Sequence, residues 1–308
     1  MNKIFMTFGL VVSSSALALS PALDTAPRIA ILSAYGPELD VLKAALKNPT
    51  TLEANGVVFT LGNLAGKDVV MFLTGQSMVN AAMNTQLVLE RFNINRILFS
   101  GVAGGVNPNL NIGDVTVAAR WAQYQEVTYA RETAPGVYSP PDWALKYVPQ
   151  AGGKPIANFG MAYLQTVETR KPGSSNIERK FWFEVDPTLL EVAKNLKSLT
   201  LKRCDDKNVC LAHEPKLVVG GTGVSGQTFM DNAAFRTHTY TTLEANVLDM
   251  ETASTAMVAY SNGVPFIAFR SLSDLAGGGP GANEADTFDK IAADNAANVV
   301  LAFLTALK

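Results

Sequence analysis

Histidine is scarce in this 308-residue sequence: there are two, His213 and His238, and neither sits in a recognisable motif. A histidine-based nucleophile triad and a histidine-rich metal site are therefore not expected. Cysteine is as sparse, with only Cys204 and Cys210. A structural zinc site needs more ligands than these two and nearby His213 provide, and no organic cofactor is implied either. Charge is also low: 17% of residues are Asp, Glu, Lys or Arg, and the formal net charge is −2. Nucleic acid and anionic membrane surfaces are drawn by a basic excess that is missing here. Beyond the N-terminus no stretch reaches the ~18 consecutive apolar residues of a membrane helix. What remains is a chain with 48% hydrophobic residues, enough for a large core, and a small, neutral or weakly charged partner molecule.

The N-terminus sets the expected compartment. Lys3 precedes an apolar, small-residue run over 4–19, and Ala16-Leu17-Ala18 has the small-x-small form of a processing site. Polar residues and prolines follow at once. The pattern predicts a signal peptide over 1–22 and a periplasmic or secreted mature chain; an uncleaved anchor is the other reading. Cys204 and Cys210 flank a polar, turn-like run. An oxidising compartment would close them into a short disulfide, with two free thiols as the alternative.

Strand-like apolar runs lie at 28–34, 57–61, 67–74, 96–100, 114–119, 216–221, 247–250 and 266–270. Helical spacing appears at 39–46, 79–92, 187–199, from 230, at 251–261 and at 285–307. The alternation predicts an α/β three-layer sandwich with a central mixed sheet over 23–308. The region 120–185 breaks the rhythm. It holds all three tryptophans (Trp121, Trp143, Trp182), shows no helical or strand period, and reads as an insertion packed on the domain or covering its pocket.

Ligands of open α/β sheets bind beyond the carboxyl ends of the strands. The residues expected there include Tyr35, Gly36, Pro37 and Glu38; Gly75, Gln76 and Ser77; a loop from Gly101 through Val102, Ala103 and Gly104 to Gly105; Met250 and Glu251; and Arg270, Ser273 and Asp274. Three carboxylates thus converge with one arginine and with small residues that let backbone approach a ligand. Carboxylates held at different pKa values can serve as general acid and general base. Singly each acid has a plainer explanation, in a helix first turn or a chain turn.

Four ordered segments resemble the nucleoside phosphorylase and nucleosidase superfamily: Ser100–Gly105 with its continuation over 110–115, the Ser225-Gly226-Gln227-Thr228-Phe229-Met230 run, Met250-Glu251, and Arg270-Ser271-Leu272-Ser273-Asp274. Within it the sequence is similar to methylthioadenosine/S-adenosylhomocysteine nucleosidases and to plant bark or vegetative storage proteins. The resemblance implies cleavage of the N-glycosidic bond of a purine nucleoside such as methylthioadenosine, S-adenosylhomocysteine or adenosine. It implies that Asp274 protonates N7 of the purine, that Glu251 holds the ribose hydroxyls with Met250 under the sugar, and that Glu38 deprotonates the attacking water. Arg270 and Ser273 would orient Asp274 and the pocket. Ala103 and Gly104 would bring backbone to the ligand, Phe229 and Met230 would line the base site, and Phe288 would cover it. It also implies a homodimer or larger homo-oligomer.

Water or phosphate can be the nucleophile in such a superfamily. Phe99 stands where phosphorylases of the hexameric type carry Arg, and Glu38 adds negative charge where an anion site wants positive charge. Both favour hydrolysis over a phosphorolytic purine nucleoside phosphorylase. Retention of Glu38, Glu251 and Asp274 argues against a non-catalytic storage or nucleoside-binding protein, since packing alone needs none of them.

Overall fold

The computed structural model describes residues 21–197 and 199–308; the signal-peptide reading falls, but for its last two residues, outside them. The described chain runs β1 (Asp24–Ser33), α1 (Asp40–Ala45), β2 (Lys47–Ala54), β3 (Val57–Leu64), β4 (Lys67–Leu73), α2 (Met78–Arg91), β5 (Phe92–Gly105), β6 (Val115–Val117) and β7 (Arg120–Gln123). An excursion containing the short helix α3 (Asp142–Leu145) follows. The chain then returns through β8 (Phe183–Glu184), α4 (Pro187–Lys194), β9 (Leu217–Val219), β10 (Thr222–Ser225), α5 (Ala233–Leu243), β11 (Ala245–Asp249), α6 (Thr252–Asn262), β12 (Phe266–Asp274) and α7 (Ala285–Ala306).

These twelve strands form one mixed sheet in the order β8-β7-β10-β11-β5-β1-β4-β3-β2, with β12 joined to β5 and β6, and β9 to β6. Strand β1 lies between β4 and β5 and is parallel to both, with Ile31 opposite Met71 and Leu98. Its centre is covered on both faces, which explains the unbroken apolar run Ile29-Ala30-Ile31-Leu32. Strand β12 is parallel to β5 from Phe266↔Ile97 to Asp274↔Gly104, and all of its residues are buried. Successive residues of a strand face opposite sides. Phe269 meets Phe303 of α7, with ring centroids 5.0 Å apart, whereas Arg270 donates to Thr252 of α6. Helices α7 and α6 therefore cover opposite faces, and α2 packs beside α6 through Thr85 and Thr255. The fold is the expected α/β three-layer sandwich.

Two site segments are built differently from the sequence expectation. The Gly101–Gly105 stretch is not a loop after a strand; β5 continues straight through it. Likewise β12 does not stop at Arg270 but carries Arg270, Ser273 and Asp274 within the strand. Both extensions survive because β5 and β12 pair with each other as far as Asp274↔Gly104, with one irregularity after Leu272, and Gly104 and Gly105 also pair with β11, so ladder hydrogen bonds outweigh the poor strand preference of Gly. Strands β2 and β10 lie outside every apolar run noted above. The first is mostly solvent-exposed and the second is four residues of Thr-Gly-Val-Ser, so neither shows a hydrophobic period.

The aromatic region is also more regular than expected. Its ends, β7 and β8, are strands of the main sheet, paired through Trp121↔Phe183. Between them lie four two-stranded pairings with strands of two to four residues, too short to show a period in sequence. Ile156, Leu164 and Phe181 pack with Tyr124 and with Leu243 of α5 in a second apolar cluster. Of the tryptophans, Trp121 is fully buried, Trp143 is exposed, and Trp182 lies under the Arg120 guanidinium, 4.3 Å from its ring centre. Cys204 and Cys210 are joined as a disulfide.

Candidate active site

The ends of β1, β5, β11 and β12 open into a cavity of about 410 Å³. Ala34, Tyr35 and Glu38 come from the turn after β1, and Val102, Ala103 and Gly104 from β5. The start of α6 brings Met250 and Glu251, β12 brings Ser273 and Asp274, and the segment after β10 adds Thr228, Phe229 and Met230. Nine residues expected from sequence thus share one wall: Glu38, Ala103, Gly104, Phe229, Met230, Met250, Glu251, Ser273 and Asp274. Phe229 is 60% exposed, on the open side. Phe288 does not line the cavity; the face of α7 turned to it carries Ala285, Asp286 and Asp289. No residue of 126–185 reaches the lining, so the aromatic region packs on the domain and leaves the cavity uncovered.

Glu38 is held without freedom. Pro37 opens the turn of 3₁₀ helix that presents it, and its side chain is 1% exposed. Its Oε2 accepts the Ala34 N–H at 2.6 Å, and its Oε1 accepts the Val102 N–H at 2.8 Å. Burial pushes its pKa up from 4.5 to about 7, against the opposing pull of Arg270 and the Val102 N–H, while neighbouring Glu251 adds to the rise. That value suits a general base near neutral pH.

Arg270 sits behind the lining, fully buried, and organises it. Its Nε lies 2.8 Å from Asp249 Oδ2 and donates to Thr252 Oγ1 at 2.9 Å. Its Nη1 donates to the Val102 carbonyl at 3.1 Å and lies 3.6 Å from Glu38 Oε1. Its Nη2 reaches Glu251 Oε2 at 3.4 Å, and the guanidinium carbon lies 4.3 Å from the Phe99 ring centre. Three carboxylates compensate one buried cation, which otherwise would cost several kcal/mol to desolvate. Phe99, expected only as the absence of a phosphate-binding arginine, is thus the floor under this guanidinium. Gly101 makes the cluster possible, because a Cβ there would collide with Arg270 Nη1 and Glu38 Oε1.

Glu251 is buried at the N-terminus of α6, where its Oε1 accepts the Ser77 N–H at 2.8 Å. Burial raises its pKa, with Arg270 opposing and Asp249 reinforcing. Asp274 is buried at the end of β12, and its Oδ1 accepts the Ala276 N–H at 2.7 Å. Ser273 donates its hydroxyl to Asp274 Oδ2 at 3.0 Å, so the expected Ser273–Asp274 partnership is present geometrically. Arg270 does not reach Asp274 as an ion pair; its ion pairs run to Glu38, Asp249 and Glu251 instead.

Sequence reasoning gave no role to Asp249, Tyr35 or Asp289. Asp249 accepts from Ser225, from the Glu251 and Thr252 N–H groups at 3.1 Å, and from the Thr252 hydroxyl. Its place directly before Met250-Glu251 was the available signal. The Tyr35 hydroxyl donates to Asp289, across 254 residues of chain, a pairing that no local pattern reveals.

The model of the phosphorylase superfamily matches residues 28–305 of this chain. A curated relative, the 5′-methylthioadenosine/S-adenosylhomocysteine nucleosidase of Bacillus thuringiensis (strain Al Hakam), is 29% identical over 255 residues, covering 81% of this chain and 87% of the relative. The solved structure of the nucleosidase of that name from Neisseria meningitidis, in complex with methylthio-immucillin-A, superposes with a TM-score of 0.64 at 22% identity, over 92% of this chain and 99% of that one. Futalosine hydrolase of Helicobacter pylori strain 26695 superposes with a TM-score of 0.67 at 21% identity, over 91% and 98%. With its sheet, its matched span and these relatives together, the chain belongs to the phosphorylase superfamily.

Proposed function

We propose that this protein is a nucleosidase that hydrolyses the N-glycosidic bond of a purine nucleoside. The observation that carries the reading is the charge of the cavity wall. Six lining residues are acids (Glu38, Asp249, Glu251, Asp274, Asp286, Asp289), and among the described residues no Lys, Arg or His lines it. The nearby cation, Arg270, is already engaged by three carboxylates. Phosphate would meet uncompensated negative charge, whereas water and a cationic transition state are favoured there.

Each acid then has a task. Glu38, anchored by two backbone N–H groups, takes a proton from water as its oxygen bonds to C1′ of the ribose. Asp274, steered by Ser273 and the Ala276 N–H, gives a proton to N7 as the bond from C1′ to the base breaks. Glu251 accepts hydrogen bonds from ribose hydroxyls, and its charge stabilises the oxocarbenium-like sugar, as carboxylates do in glycoside hydrolysis. Relatives named for methylthioadenosine, S-adenosylhomocysteine and futalosine support N-glycosidic hydrolysis as the reaction class. The test is a purine nucleoside panel assayed for free base with and without phosphate. Base release that is unaffected by phosphate is expected; strict phosphate dependence would identify a phosphorylase, and binding without turnover a storage or binding protein.

A further inference from the structure

Part of the cavity wall has no task in that reaction. Asp274, Phe229 and Met230 serve the base, Glu251 and Met250 the sugar, and Glu38 the water. Thr228 belongs with Phe229 and Met230 in the base segment, where its hydroxyl oxygen accepts from Gln125, and Gln76 stands beside Ser77, whose N–H holds Glu251 on the sugar side. The remaining polar wall is Tyr35 with Asp286 and Asp289 of α7. The Tyr35 hydroxyl donates to Asp289 Oδ1, and burial with nearby Glu38 pushes the phenol pKa far up, so the phenol keeps its proton. Once that proton is committed, this part of the wall offers acceptors: the phenol oxygen, the second oxygen of Asp289 and the carboxylate of Asp286. Burial raises the Asp289 pKa and nearby Asp286 adds to the rise, while the hydrogen bond from Tyr35 holds its charged form. Neither aspartate has an ion-pair partner among the described residues. With base, sugar hydroxyls and water placed elsewhere, the group that meets this wall is the 5′ end of the ribose.

We propose that Tyr35 and Asp289 select purine nucleosides whose 5′ end is a free hydroxyl, over those carrying a 5′ thioether. A hydroxyl donates to the waiting acceptors. A thioether has no proton to give, and bringing it in strips water from these acceptors without replacing the hydrogen bond. Sites built around a substrate hydroxyl discriminate strongly against analogues lacking it, for this reason. The nucleosidases named for methylthioadenosine and S-adenosylhomocysteine carry thioether nucleosides in their names, so the proposal departs from those names in its preferred substrate. The inference rests on the nucleosidase reading.

The experiment compares kcat/KM for adenosine and for methylthioadenosine with the wild-type protein, by adenine release without phosphate. Adenosine is expected to be preferred by about tenfold or more. Tyr35→Phe and Asp289→Asn are each expected to shrink that ratio, because each removes or reorganises an acceptor that only the hydroxyl uses. Equal use of the two nucleosides, or a preference for methylthioadenosine, overturns the proposal while leaving the nucleosidase reading intact. An unchanged ratio in two folded, active variants also overturns it. Release of free base from neither of these nor any nucleoside of the purine panel overturns the nucleosidase reading instead; if only nucleosides with another purine base are cleaved, the same ratio is read on the 5′-hydroxy and 5′-methylthio forms of that nucleoside, and absence of the preference overturns the proposal.

Discussion

At the scale of single residues, Glu38 carries the clearest consequences. A base with a pKa of about 7 is inactive when protonated, so kcat/KM should fall as pH drops below about 7, approaching tenfold per unit of pH as a single proton requires. Glu38→Gln should abolish that limb and lower kcat by roughly 10²- to 10⁴-fold while leaving nucleoside affinity measurable by calorimetry. The same residue makes a stability prediction. Its folded pKa is raised above the ordinary 4.5, so between that value and about 7 the native state binds more protons than the unfolded chain. Its contribution to stability is therefore greatest below 4.5 and declines as pH rises through the window. Thermal melts of Glu38→Gln against wild type should accordingly shift in favour of the variant from pH 5 to pH 8. For the acid, Asp274→Asn should reduce base release by a comparable 10²- to 10⁴-fold; an Asn variant with full activity would remove the proton-donor role. Most of these residues were legible in sequence because they stand at the ends of apolar runs, where α/β chemistry gathers. Tyr35 and Asp289 had no such legibility as a pair, since only the fold brings the two together.

At the scale of elements, β5 matters most. It is at once a core strand and a wall of the cavity, and Gly101 is where the two roles meet. Gly101→Ala inserts a methyl group between Arg270 and Glu38 in a fully packed cluster. A loss of about 1–3 kcal/mol in urea unfolding is expected, with a loss of activity larger than the loss of folded protein. A contrasting change lies at α4, whose N-cap Asp186 accepts the Thr188 and Leu189 N–H groups at 2.9 and 3.0 Å. Asp186→Ala should cost about 1 kcal/mol of stability with kcat/KM untouched, because this cap is remote from the lining. Helix α2 was legible within one residue at each end, and the buried part of β1 within one residue of its end, because burial writes an apolar pattern; the exposed start of β1 lies four residues earlier than that pattern. The exposed β2, the short β10, and the hairpins between β7 and β8 wrote none; pairing partners distant in sequence hold them.

At the scale of the whole molecule, export and covalent closure belong together. We propose that the chain is exported and loses the residues over 1–22, so N-terminal sequencing of protein from the periplasm or medium should begin near residue 23. In that compartment the Cys204–Cys210 link persists, and it closes a short loop. Cys204→Ser with Cys210→Ser should lower stability by no more than about 2 kcal/mol, read by chemical unfolding with and without reductant. Composition and apolar periodicity determined by themselves the sandwich and brought Glu38, Glu251 and Asp274 to strand ends, because hydrophobic burial and strand-end chemistry leave local marks in a chain; the reaction class to test came from the resemblance of the ordered motifs to a known superfamily, and Asp249, Asp286 and Asp289 were left without a role. The tertiary structure alone decided that Gly101 and Asp274 lie within strands, that Arg270 serves Glu38, Asp249 and Glu251 rather than Asp274, and that Tyr35 faces Asp289. Those are contacts between segments far apart in sequence, and their energies depend on burial and mutual distance, which no local pattern encodes.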